Sequence, residues 1–461
     1  MSTDIGLARK QKVFAVKETV EGTLEFPSDA DLIRPAGTAV MNQSPDYSDS
    51  EEVQDSLDVL DQFANAMPAG EFSLPTYVRP SGTVGSVPQG GVLFESMQGG
   101  VESAAVASLS SEIGASTATI VFDTRATGEF PERGIVQVGT EDIYYTSITR
   151  GSRSATTGTL TGLTRGYNST SAATHATNDS ITAQGVFYKQ ATSSPSFSLW
   201  IETDHFTQGM SGCSITSATL SVSNEGGVTF NFSGQGMQMV WAGKDALSTN
   251  AASGATQIYV ADADRFSAGA YIQNYTKSDN NSSSGYKISS VTSASNLITL
   301  ETSDAISEAW ATDDVIQGYL PTGTAIGSPI EGRHTSVELN SVSAKFKNSE
   351  LSFNVPKQYL VDEVGTTYPE AYIEDKRSIT ANLNLYFRQA DAKYFAEGYS
   401  GNEIPIALTF GDTIGSKMLV YMKKCRLPMP DISSAPPAIE LSMPMTALGT
   451  DGEDSCEIIF E

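Results

Sequence analysis

The chain holds two patterns twice over, one nested within the other, and this duplication constrains the fold more than any motif in it. An alternating run from Glu71 to Arg79, EFSLPTYVR, returns as TANLNLYFR from Thr380 to Arg388. A short helix-like patch follows each run: Val92, Leu93, Phe94 and Met97 in the first, Tyr394, Phe395 and Ala396 in the second. The copies meet again further on. Cys213, Ile215, Leu220 and the run from Val228 to Ser233 answer Cys425, Leu427, Ile432 and the run from Ile439 to Pro444. A smaller pair is interleaved: HATNDSI from His175 to Ile181 lines up with WATDDVI from Trp310 to Ile316, and TLTGLT at 159–164 with LITLET at 297–302. Along the chain the order is large unit, small unit within it, small unit, large unit. Repeats this long mark duplicated domains, not a solenoid.

These patterns divide the chain into a first large unit at 1–110 and 187–246, a small unit inserted in it at 111–186, a second small unit at 247–319, and a second large unit at 320–461. At roughly 70 residues the small units are marginal alone and are expected to lean on their neighbours. Period-two alternation dominates, only 18% of residues are charged, and 40 glycines punctuate the runs, so the expected class is all-β with minor α. Glu225, Gly226 and Gly227 between two alternating runs predict a hairpin. Cys213 and Cys425 hold equivalent places and are expected in separate cores; three cysteines form no disulfide framework, which points to a reducing cytosol. The N-terminal apolar stretch is too short for a signal peptide, and no run approaches the ~20 apolar residues of a membrane span, so a soluble, non-exported chain is expected.

The formal net charge is −26, from 54 acids against 28 Lys and Arg, which excludes phosphate-gripping nucleic-acid binding as the main activity. The acids concentrate between Pro45 and Phe63, where Asp46, Asp49, Glu51, Glu52, Asp55, Asp58 and Asp61 stand with no base. Val53, Leu57 and Leu60 are spaced for one face of a short helix there. The second large unit carries a long acidic connection at the same place, with Asp362, Glu363, Glu370, Glu374 and Asp375.

No catalytic or phosphate-binding motif occurs. Three histidines, His175, His205 and His334, have no partners at metal-ligand or triad spacing. His175 answers to Trp310, so it reads as a packing position. The loop from Asp279 to Gly285 has its glycine one place late for a calcium loop and reads as a hairpin tip. No catalytic residue, metal or cofactor is therefore expected, and the chain reads as a non-enzyme.

A large β unit with a long acidic connection, an alternating strand ending in Tyr-x-Arg, a short helix and a closing hairpin resembles the tail tube domain of bacteriophages. The duplicated form is similar to the tube protein of some phages with long, non-contractile tails. The resemblance implies two tandem tube domains of β-sandwich or barrel-forming type plus two small inserted β domains. It also implies homotrimeric, pseudo-hexameric rings stacked into a hollow conduit for DNA, a virion protein of the tail assembled in the bacterial cytoplasm. Its implied partners are its own copies, a tape-measure protein in the lumen, and tail terminator and distal tail proteins; DNA passes without specific binding and no membrane is involved. The acidic connections hold the place of the loop that contacts the neighbouring ring in that family. Arg9, Lys10 and Lys12 of an adjacent ring are the expected counter-charges, and acids lining the bore would repel DNA. Alternative readings are another tail ring or baseplate component, and a virion-borne glycan-binding β module.

Overall fold

The computed structural model describes residues 8–461 except 54, 56, 104 and 434–437, and it is mostly β, with two α-helices among those residues. In the first large unit the strands used below are β1 (Lys12–Lys17), β2 (Val40–Asn42), β3 (Tyr47–Asp49), β4 (Gln62–Ala64), β5 (Gly70–Tyr77), β6 (Gly99–Ser103), β7 (Val186–Gln190), β8 (Phe197–Thr203), β9 (Phe206–Ser223) and β10 (Thr229–Gly236). In the second they are β11 (Thr335–Leu339), β12 (Asn348–Asn354), β13 (Lys357–Tyr359), β14 (Tyr372–Glu374), β15 (Ser378–Tyr386), β16 (Glu403–Phe410), β17 (Met418–Arg426), β18 (Asp431–Ser433), β19 (Glu440–Ala447) and β20 (Glu457–Phe460). Helix α1 (Gly91–Gln98) follows β5 and α2 (Lys393–Ser400) follows β15, each stopped by a left-handed glycine, Gly99 and Gly401.

The duplication is visible in the pairing. In the first unit β2 pairs β5, β5 pairs β10 and β10 pairs β9; in the second β12 pairs β15, β15 pairs β19 and β19 pairs β18 and the end of β17. All are antiparallel. The two sheets also join, because β9 pairs β12 over seven residue pairs, Ser217↔Asn354 to Ser223↔Asn348. One sheet thus runs β2-β5-β10-β9-β12-β15-β19-β18 through both units.

Each strand in it alternates. Phe72 and Leu74, Phe230 and Phe232, Leu351 and Phe353, Leu383 and Leu385 turn to one side and are buried. That side faces α1, whose Phe94 meets Phe230 and Phe232 edge-on with ring centroids 5.2 and 5.5 Å apart, and also Phe460 of β20 at 5.2 Å. Such ring pairs add about 0.5–1.5 kcal/mol each to the area they bury. The core is therefore one cluster containing Cys213, Cys425 and Cys456 together. Separate cores were expected for Cys213 and Cys425; the β9–β12 junction merges them. All three thiols are free and buried, and burial pushes them up, that of Cys425 to about 12. β20 adds a second tie, pairing β17 of its own unit and β7 of the first.

The small units share one topology as the sequence repeat implies. Strands at 106–109, 180–184, 134–138 and 141–145 lie in that order in the first, and 244–246, 315–318, 271–274 and 286–292 in the second. His175 and Trp310 occupy one place: each bridges an antiparallel neighbour, Ile113 or Ala251, and each ring nitrogen meets a buried carboxylate at 2.8 Å, Glu141 or Asp279. Sheet membership begins the inserted unit at Val106, with β6 and β7 pairing across its base. It leans on the second large unit: Arg133 reaches Glu338 (2.9 Å), and the Glu132 N–H donates to Glu457 (2.9 Å). The second small unit shares a core with Phe14 and Trp200 of the first large unit.

Candidate assembly interface

Among the described residues the long sheet ends in β2 and β18, each with a strand on one side only. Unpaired edges template further pairing and are usually blunted. β18 is the counterpart of residues 219–221 of β9. Asp431↔Ser442, Ile432↔Leu441 and Ser433↔Glu440 repeat Thr219↔Asn231, Leu220↔Phe230 and Ser221↔Thr229. β2 is the counterpart of residues 350–352 of β12: Val40↔Ser73, Met41↔Phe72 and Asn42↔Glu71 repeat Glu350↔Asn382, Leu351↔Ala381 and Ser352↔Thr380. In the chain these counterparts are bonded to each other, with Leu220 opposite Leu351 and both fully buried. At the ends Ile432 and Val40 are 54% and 55% exposed. The two edges are thus the two halves of a junction the molecule already contains once. Transferring its register sets Ile432 opposite Met41, Asp431 opposite Asn42 and Ser433 opposite Val40.

The other side of the sheet is polar and almost uncharged. One row across it reads Pro75, Asn231, Thr219, Ser352, Thr380, Thr446; the next reads Tyr77, Thr229, Ser221, Glu350, Asn382, Pro444. Hydrogen bonds link members of adjacent strands, Ser442 to Asn382 (3.0 Å) and Asn384 to Asn348 (2.7 Å). The charges on this side of the eight strands are Glu71, Glu350, Glu440 and Asp431, and Lys347 binds Glu440 at 2.6 Å. The bulk of the net charge lies elsewhere.

The acidic connections are hairpins. β3 pairs β4 as Tyr47↔Ala64, Ser48↔Phe63 and Asp49↔Gln62, where a helix on Val53, Leu57 and Leu60 was considered. Val53 and Leu57 are fully exposed, so no apolar surface is there to stabilise a helix face. Asp46 accepts from the Tyr47 N–H (3.0 Å) and Asp49 from Gln62 (2.7 Å); Asp61 accepts from the Gln62 N–H (2.8 Å). Glu51, Glu52, Asp55 and Asp58 are exposed near the tip. In the second hairpin Asp362, Glu363, Glu370 and Asp375 are exposed. Glu374 is not. Burial alone would raise its carboxyl, but bonds from Ser194 and the nearby Lys357 and Arg377 hold it below the usual range. Burial in turn pushes the Lys357 ammonium down to about 8.

Lys10 and Lys12 are brought to carboxylates of the same chain, Asp204 (2.9 Å) and Glu202 (3.0 Å), and Arg9 is exposed beside them. Among the described residues no three His, Cys, Asp or Glu side chains converge as a metal site, and no helix is long and apolar enough to cross a membrane. The residues that sequence reading missed are the two matching edge strands and the Ser, Thr and Asn side of the sheet. Their signal was present in the outward positions of the alternating runs, which carry hydroxyls and amides where a solvent-facing sheet usually carries charges. No protein-family model matches the chain, and no curated protein is similar to it in sequence.

Proposed function

We propose that this protein is a structural subunit that closes into rings by joining β18 of one chain to β2 of the next, and that the rings stack into a hollow tube of the phage-tail kind. The observation that carries the reading is the head-to-tail junction of β9 with β12, whose two halves recur at the two ends of the sheet with no further strand beside them among the described residues. A heterologous contact of this kind closes a ring when its rotation is a simple fraction of a turn. Closure also removes the exposed edges.

Three chains supply six equivalent units and a closed barrel of eight strands per chain. With ~4.8 Å between strands and a tilt of ~40°, that barrel is about 48 Å across at the backbone. Side chains leave a bore of roughly 35–40 Å, wider than a DNA duplex. The hydroxyl- and amide-rich side of the sheet lines it in this reading. It offers no unpaired cation among its described residues and a few acids, so DNA slides past without counterion release. That replaces a strongly acidic lining with a mostly neutral one. The subunit then belongs to the virion tail, assembles in the host cytoplasm, and meets a tape-measure protein inside the bore and terminator and distal tail proteins at its ends.

The test is electron microscopy with native mass measurement on concentrated protein. Stain-filled rings or tubes built on multiples of three chains are expected. A chain that stays monomeric at every concentration, even when seeded with cross-linked rings, contradicts the proposal.

A further inference from the structure

The two connecting hairpins match in length and register but differ in what covers them. Lys357 stands 310 positions after Tyr47, Tyr359 after Asp49 and Glu374 after Ala64, and the strand pairings coincide. The second hairpin is docked on the first large unit. Lys357 reaches the hydroxyls of Ser194 and Ser214, and the Tyr359 hydroxyl lies 2.7 Å from the Gly212 carbonyl. Tyr372 donates to the Ser194 carbonyl (3.0 Å) and Arg377 to that of Gln98 at the end of α1 (3.1 Å). Among the described residues the matching positions of the first hairpin lie open: Tyr47 is 55% and Phe63 58% exposed.

The surface it should meet exists on the second large unit. By the repeat that aligns Cys213 with Cys425, Gly212 corresponds to Lys424 and Ser214 to Arg426. The docking face that is neutral in the first unit is basic in the second. Lys424 and Arg426 share one carboxylate, Glu403, at 2.9 and 3.0 Å, which leaves two cations against one anion. Helix α2 is also open there: α1 buries six residues, α2 only Tyr394, and Tyr399 is 86% exposed.

We propose that the acidic hairpin, residues 46–64, docks on the α2–β17 face of the adjacent chain in the same ring, with Asp49 opposite Lys424 and Tyr47 over Arg426. This rests on the ring reading above, and it gives the acids of the first hairpin a lateral role where a contact between stacked rings was expected. Charge complementarity fixes the direction, since seven acids without a base meet a docking face that carries Lys424 and Arg426. The hairpins are also linked in succession within the chain. The Met67 N–H at the foot of the first donates to Thr367 near the tip of the second (2.8 Å). Repeating that step around a ring brings the tip of each acidic hairpin to the foot of the preceding chain's second hairpin.

The test is a charge exchange read by two assays, sedimentation velocity for ring formation and microscopy for tube length. Lys424→Glu with Arg426→Glu, and separately Asp46→Lys with Asp49→Lys, should each weaken ring formation about 10-fold or more. All four changes in one chain should restore it, which also guards against a merely misfolded variant. Lys424→Gln, a milder change at a half-buried position, should give a smaller loss with a melting temperature close to wild type. Unaltered ring formation with shortened tubes would overturn the lateral docking and leave the ring reading standing. A wild-type chain that forms no rings would overturn both.

Discussion

Replacing Ile432 by Asp should abolish ring closure and leave the single chain folded. Ile432 is the counterpart of Leu220, which lies opposite Leu351 with both side chains fully buried. At the bare edge 54% of Ile432 is still exposed. Full burial of an aliphatic side chain is worth about 1.5–3 kcal/mol, so the part awaiting a neighbour is worth about 1 kcal/mol per junction. Around three junctions that is about 3 kcal/mol, roughly 100-fold in the trimer equilibrium constant and so about 10-fold in the concentration at which rings close, which follows its square root. An aspartate adds several kcal/mol per junction more, because its charge would be desolvated against Met41 with no partner. Sedimentation velocity across a concentration series reads the ring, and thermal melting of the dilute monomer reads the fold. Ile432→Ala should give the shift of about 10-fold in closing concentration and Ile432→Asp a complete loss, each with a melting temperature within a few degrees of wild type. Wild-type ring formation by Ile432→Asp would refute the transferred register.

Other outcomes follow from the same structure. Glu141 is buried, which opposes ionisation, but bonds from Arg165, His175 and the N–H groups of Ala173 and Gly166 hold its carboxyl at about 2. Glu141→Gln should therefore destabilise the inserted small unit by about 3–5 kcal/mol in urea unfolding, because Arg165 is left as a buried unpaired cation; unchanged unfolding would refute this. Burial pushes Glu457 and Glu461 up to about 7, against the attraction of Arg153 and Arg150 on the first and of Lys417 and Arg133 on the second, with Glu132 adding to the rise of Glu457. A carboxyl raised above its unfolded value of 4.5 holds its proton in the fold, so its contribution to stability falls as pH rises through 7. Corrected for the base-catalysed rise in intrinsic exchange, protection of the amides at 457–460 should thus be greater near pH ~6 than near pH ~8, and the reverse order would contradict it. Ser352→Arg with Thr219→Arg, in the centre of the polar side, should leave rings intact and make tubes retain DNA in a salt-dependent way; no retention would remove that side from the bore.

The duplication, the strands and the equivalence of His175 with Trp310 were legible because alternation and self-similarity are local properties of a sequence. The joining of β9 to β12 was not. Strand pairing across more than a hundred residues leaves no mark in either strand, since Ser217–Ser223 and Asn348–Asn354 alternate like every other run here. The single core around Cys213 and Cys425 follows from that junction and was missed with it. In the acidic segment Val53, Leu57 and Leu60 matched a helical face, yet a helix there has nothing to bury that face against. The hairpin is fixed by its feet, where Asn65 donates to the Asp46 carbonyl (2.9 Å) and Gln43 ties to Met237 (2.8 Å). The docking of Lys357 and Tyr359 was equally out of reach, because it depends on a surface assembled from residues 96, 194, 212 and 214.

The most direct measurement is a cysteine cross-link at the transferred register. Opposed residues of an antiparallel pair have Cα atoms ~4.5–5.5 Å apart, within disulfide reach. In a chain carrying Met41→Cys and Ile432→Cys, mild oxidation should give species of two and three chains and nothing larger, the last closed and stable to denaturant. Absence of cross-linking in concentrated protein, or a ladder running past three chains, would contradict a closed ring built by repeating the β9–β12 junction.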